Sequence, residues 1–159
     1  ITAEGTRPRG FITKLESLLQ VETETICAKG ATSVQIISLV ESNTLNFRPD
    51  YIIAQSGIND LIRGVSEKET KNAQNKLLES IRSTFPSAIV LFIPIHPFFK
   101  EKIFFIPSNR PPTKIRLYSW WENPKKFAQD YLVKDGIHLN AKGHTLLGQN
   151  LAHQLTVNI

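Results

Sequence analysis

Apolar positions recur along this chain at two periods, one helical and one alternating or continuous as in strands. Phe11, Ile12, Leu15, Leu18 and Leu19 fall at helical spacing behind Arg7-Pro8-Arg9-Gly10, where proline suits a first turn, so a helix is read over about 9–20. From Val21 to Ala28, β-branched residues roughly alternate with glutamate and run into Lys29-Gly30, the pattern of a strand delivered to a glycine turn. A second helix follows, capped by Thr32 or Ser33 and striped by Ile36, Ile37 and Val40. Arg48-Pro49-Asp50 then breaks the chain ahead of Tyr51-Ile52-Ile53-Ala54, a short continuous apolar run of the kind buried on both faces of a parallel sheet. Ser66-Glu67-Lys68-Glu69 has the capping-box pattern, and Ala73, Leu77, Ile81 and Phe85 extend one stripe to about Thr84. Ala88 to Ile93 repeats the buried-strand signature and is stopped by Pro94 and Pro97.

Between Phe98 and Phe127 the pattern weakens. Ile103-Phe104-Phe105-Ile106 and an apolar stretch from Ile115 to Trp121 flank a proline-rich segment from Pro107 to Pro112, and little beyond a strand near 114–118 is read there. Asn140 caps a final helix whose Leu147, Leu151 and Leu155 face inward. Strands alternating with helices predict an α/β fold with a parallel sheet covered on both faces. A length of 159 residues suits one domain, here taken as 1–159.

Composition narrows the classes. With 41% hydrophobic and 21% charged residues the chain can bury a core, which excludes a disordered or fibrous protein. Cys27 has no second cysteine to pair with, so neither an internal disulfide nor a thiolate zinc site is available. No apolar run reaches the roughly 20 residues that cross a bilayer, so no stable membrane insertion is expected. The net charge of +5 is dispersed over Arg7, Arg9, Lys100 to Arg116 and Lys125-Lys126, with no basic helix face, and no nucleic-acid partner is expected. The chain holds no methionine and opens on Ile1, so a piece of a longer protein is expected.

In a parallel α/β sheet, ligands bind beyond the carboxyl ends of the strands. Three places there carry chemistry. In Asp135-Gly136-Ile137-His138 a carboxylate three residues before an imidazole can bond one ring nitrogen and leave the other for a cleft, as a general base requires. Equally, Asp135 serves as a turn residue and His138 packs at a helix start. In Gly57-Ile58-Asn59-Asp60 the Asn59 amide offers donors suited to an oxyanion, or all four residues are turn chemistry. Gly30 offers its N–H as a second donor, or only satisfies a positive φ. His96, between Pro94 and Pro97 beyond a strand, is placed to line a pocket; His144 and His153 belong to the last helix. No histidine pair has zinc-ligand spacing, so no metal is expected. Trp120-Trp121 reads as core or interface packing.

Taken in order, Gly30, Gly57-x-Asn59-Asp60 and Asp135-x-x-His138 resemble the second, third and fifth sequence blocks of the SGNH (GDSL-like) serine hydrolases, over about the whole chain. The resemblance implies a three-layer α/β/α, flavodoxin-like fold with strand order 2-1-3-4-5, no cofactor, His138 as general base, and Asp135 as its orienting partner. It makes the Gly30 N–H and the Asn59 side chain oxyanion donors. The family's first block reads Gly-Asp-Ser followed by an aliphatic residue, and Ile1 to Gly5 resemble its continuation. The nucleophilic serine would then stand just before Ile1, and the first strand would be missing from the chain. That absence implies a strand-wide gap in mid-sheet, with Ile1 near His138. Ser33 and Ser56 are poor substitutes, since each would displace a residue the family uses for the oxyanion. The segment from Phe98 to Asp130 departs from the family, because a regular helix belongs where the prolines stand. The implied activity is hydrolysis of small-molecule esters, such as acetylated sugars, lipids, short esters or thioesters, through an acyl-enzyme. The alternative is a catalytically inactive SGNH-fold binding or structural module. A flavodoxin-like phosphate binder lacks its glycine-rich loop.

Overall fold

The computed structural model describes residues 10–42, 48–100, 102–107 and 123–157. In chain order the elements are α1 Phe11–Leu19, α2 Ser33–Ser42, β1 Tyr51–Ala54, α3 Ile58–Ile62, α4 Glu67–Thr84, β2 Ile89–Phe92, β3 Phe98–Lys100, β4 Ile103–Phe105, α5 Pro124–Tyr131 and α6 Ala141–Val157. These residues gather into two compact units: Glu24–Ile95, and a second made of 10–23, 96–107 and 123–157. The class is mixed α/β with a small parallel sheet.

In the first unit β1 and β2 pair in parallel, from Tyr51 opposite Ile89 to Ala54 opposite Phe92. The Ile93 N–H extends the ladder by donating to the Ala54 carbonyl at 2.8 Å. Parallel neighbours need a crossover, and α3 and α4 supply it. Helix α4 starts where the sequence says: the Ser66 hydroxyl accepts from the Glu69 N–H (3.2 Å) while the Glu69 carboxylate accepts from the Ser66 N–H (3.2 Å). Glu67 and Glu69 add charge that favours the first turn, and Arg82 favours the last. Its stripe buries Leu77, Leu78 and Ile81 against Val40 of α2 and Ala54, Val90 and Phe92 of the sheet. Leu91 and Phe92 are both buried, so β2 is covered on both faces at its carboxyl end. Tyr51, Ile52 and Ile53 are only partly buried, short of the expectation for a central strand. Among the described residues β1 has a ladder partner on one edge only.

The strand read over Val21 to Ala28 does not form. A β pattern without a neighbour to exchange hydrogen bonds with is not stable alone. Val21 is exposed, and the Thr23 hydroxyl turns to the Glu16 carboxylate of α1. The expected position of Ile1 and the strand read near 114–118 lie outside the described residues.

In the second unit α1 packs on α6, burying Phe11, Ile12 and Leu15 with Leu147, Leu151 and Leu155. Asn140 caps α6 as expected, its Oδ1 accepting from the N–H groups of Lys142 (2.9 Å) and Gly143 (3.0 Å). Its amide nitrogen also donates to the carbonyls of Asp130 (2.9 Å) and Leu132 (3.2 Å), tying α6 to the end of α5. The proline-interrupted stretch holds an antiparallel hairpin, β3 with β4, pairing Phe98 with Phe105 and Lys100 with Ile103. Helix α5 begins on Pro124 with Asn123 as its cap. Among the described residues, the stretch from Phe98 to Asp130, where the resemblance implies a regular helix, holds this hairpin and most of α5.

Candidate active site

Asp135 and His138 are hydrogen-bonded to each other, the first of the two arrangements open to the sequence. Asp135 and His138 occupy a short loop closed at its neck by an antiparallel bridge between Leu132 and Leu139, by Val133 N–H to the His138 carbonyl (2.9 Å), and by Asn140 N–H to the Tyr131 carbonyl (2.8 Å). Gly136 turns the loop at φ +73°, and a Cβ there would come within 2.9 Å of the Phe99 Cβ, so glycine is required twice over. The Asp135 carboxylate faces inward on this turn. One oxygen accepts from the N–H groups of Ile137 (2.8 Å) and His138 (3.0 Å), and the other bonds the His138 Nδ1 at 2.6 Å. A carboxylate can only accept, so Nδ1 carries the proton and Nε2 is the basic nitrogen. Partial burial pushes the Asp135 carboxyl up, but the bonds from the His138 ring, the two N–H groups and the imidazolium charge outweigh it and hold the pKa below its usual value. Both side chains are close to half exposed, which opens the pair to solvent.

His96 is buried at 5% exposure, with its ring against Phe127. Its Nε2 bonds the Ile137 carbonyl at 2.8 Å, within the same loop, so it does not stand open as a pocket-lining residue. Burial drives its pKa down to about 4, against the opposing pull of the Ile137 carbonyl and with help from the charges of His138 and His144. His144 stacks on Phe11 of α1 and His153 is exposed, the structural roles read for both.

In the first unit Gly30 and Asn59 are brought together. Gly30 adopts φ +69°. The Asn59 amide nitrogen donates to the carbonyl of Ala31, the next residue, at 2.9 Å, and the Arg63 guanidinium donates to the Gly30 carbonyl at 2.8 Å. An amide NH2 has two donors, so one commitment to Ala31 leaves a second. Asp60 has a role that sequence reasoning missed. It is buried at 3% exposure and accepts from the Ser33 N–H (2.9 Å) and hydroxyl (3.2 Å), fastening the first turn of α2 to α3. Gly30 therefore sits on a turn pinned by Asn59 and Arg63, and Asn59 itself lies in α3. The sequence sign of the Asp60–Ser33 link was a serine three residues after Gly30 and an aspartate three residues after Gly57.

Gly57 is held at φ +106°, and a Cβ there would lie 2.7 Å from Gln74 Nε2 and from Ile95 Cδ1. Ser56 is buried beside it and Ser33 is committed to Asp60, so neither hydroxyl is presented as a nucleophile. Among the described residues no cluster of His, Cys, Asp and Glu could hold a metal ion, and no helix is long and apolar enough to cross a membrane. Trp120-Trp121 lies outside the described residues.

No protein-family model matches the chain, and no curated protein matches it. A solved structure of a peptidoglycan O-acetylesterase is similar at TM-score 0.52 and 17% identity, over 82% of this chain and 44% of that one. At that identity the likeness is one of fold. This chain spans less than half the length of that neighbour.

Proposed function

We propose that the chain is most of an acyl-ester hydrolase of the SGNH type, a single three-layer α/β/α domain acting through a Ser-His-Asp acyl-enzyme. One observation carries the reading: the 2.6 Å contact between Asp135 and the His138 Nδ1, on a carboxylate braced by two backbone N–H groups. The fold likeness to an O-acetylesterase supports it and favours acetyl esters as the substrate class. In this reading the nucleophilic serine precedes Ile1. His138 Nε2 takes the serine proton as the oxygen attacks the ester carbonyl, and the resulting imidazolium is stabilised by Asp135. The Gly30 N–H and the Asn59 amide hold the oxyanion of the tetrahedral intermediate. Collapse expels the alcohol, which takes the proton from His138. Water, deprotonated by the same nitrogen, then releases the acyl group as the acid and restores the serine.

The test is hydrolysis of p-nitrophenyl acetate, and labelling by a fluorophosphonate, of the gene product extended upstream of Ile1. Hydrolysis that His138→Ala reduces by about a thousandfold or more, with Asp135→Asn costing less or comparably, is expected. Full activity in the His138 variant refutes its role. An upstream sequence without serine, together with an inert product, selects the inactive binding module instead.

A further inference from the structure

We propose that His96 is a positioning residue for His138, acting through the peptide that joins Ile137 to His138; this deepens the hydrolase reading and rests on it. The carbonyl of that peptide accepts from His96 Nε2 at 2.8 Å, while its N–H, belonging to His138, donates to Asp135 at 3.0 Å. A carbonyl only accepts, so the proton sits on His96 Nε2 and the ring is the donor. The peptide is thus gripped from both sides. The preceding peptide is gripped in the same way: the Gly136 carbonyl accepts from the Phe99 N–H at 2.8 Å, and the Ile137 N–H donates to Asp135 at 2.8 Å.

A continuous line of hydrogen bonds therefore runs from the His96 ring through one peptide to the Asp135 carboxylate and on to the His138 ring. Each bond in such a line polarises the next. His96 is itself immobilised by burial, by the Phe127 ring and by the following Pro97, which restricts the backbone between the two donors 96 and 99. Without the His96 donor, the 137–138 peptide loses the bond that sets its plane, and the carboxylate loses the alignment that presents it to Nδ1. A neutral donor also suits this place, because a second cation would oppose the imidazolium that His138 must become.

The proton NMR spectrum of the 159-residue chain at low temperature tests this without any turnover, so failure of the hydrolase reading leaves the outcome readable. The proton bridging Asp135 and His138 Nδ1 should resonate far downfield of the amides and vanish in His138→Gln, which identifies it. His96→Leu should abolish or broaden that resonance while circular dichroism stays native. His96→Gln, whose amide nitrogen reaches the place of Nε2, should restore it. If the leucine variant fails to fold, His96→Asn, polar but too short to reach the carbonyl, takes its part with the same expectation. A downfield proton undisturbed in a folded leucine or asparagine variant overturns the proposal. So does loss of the resonance in the glutamine variant, because rescue is what separates a donor from a space-filling ring.

Discussion

Acid should weaken this protein through one buried side chain. His96 titrates near 6.5 when unfolded but only at about 4 in the folded chain, because burial disfavours its charged form. Below the unfolded value the unfolded chain takes up a proton that the folded chain refuses, so stability falls as the pH drops through that window and levels off below the folded value. The gap of about 2.5 pH units, at about 1.4 kcal/mol each, sets a ceiling of about 3 kcal/mol. The assay is urea unfolding from about pH 7 to about pH 4, on the natural chain and on His96→Gln, which cannot take up the proton. The other carboxylates and histidines titrate in both proteins and cancel in the difference. The glutamine variant should start out equal or less stable and close the gap, or overtake, as the solution is acidified. Two curves that stay parallel across the whole range would refute the argument, since the only group that distinguishes them would then not be titrating.

Other outcomes follow from the geometry. Asn59→Ala in the serine-containing gene product should lower kcat about a hundredfold or more with KM little changed, and an unchanged kcat would make Asn59 a turn residue only. Gly57→Ala must force a side chain into φ +106° and within 2.7 Å of Gln74 and Ile95, so a loss of at least about 2 kcal/mol is expected, read from the urea midpoint.

Much of this architecture was legible because local and long-range demands agree. Ser66 and Glu69 bond each other's backbone whatever surrounds them, so the start of α4 is visible in four residues. Asn140 before the last helix is a similar case. The two parallel strands were legible because Tyr51 to Ala54 and Ile89 to Phe92 are continuous apolar runs bounded by proline-bearing breaks. Where the structure departs, the deciding partner is remote. Val21 to Ala28 has strand chemistry but finds no ladder. The β3–β4 hairpin is hidden because its turn places Lys102 at φ +68°, where sequence reasoning looks for glycine or asparagine.

The candidate site was legible in proportion to how local it is. The Asp135–His138 bond closes within four residues, so spacing alone conveys it. The Asp60–Ser33 link spans 27 residues and the His96–Ile137 link spans 41, and no spacing rule reaches that far. In each, a polar residue is bonded only when the fold brings its remote partner to it.

The neck of the Asp135–His138 loop has a consequence for the thermodynamics of activation. Its two ends are stitched by the Leu132–Leu139 bridge and by Asn140, whose one amide caps α6 and holds the last carbonyls of α5. Fixing a residue's backbone takes about 1–2 kcal/mol of chain entropy, and here that loss falls on folding, once, instead of on every encounter with substrate. In the hydrolase proposed above, His138 therefore arrives at each collision already oriented. Ester cleavage by such a loop should show a barrier that is mostly enthalpic, and its rate should rise smoothly on warming until the neck itself opens.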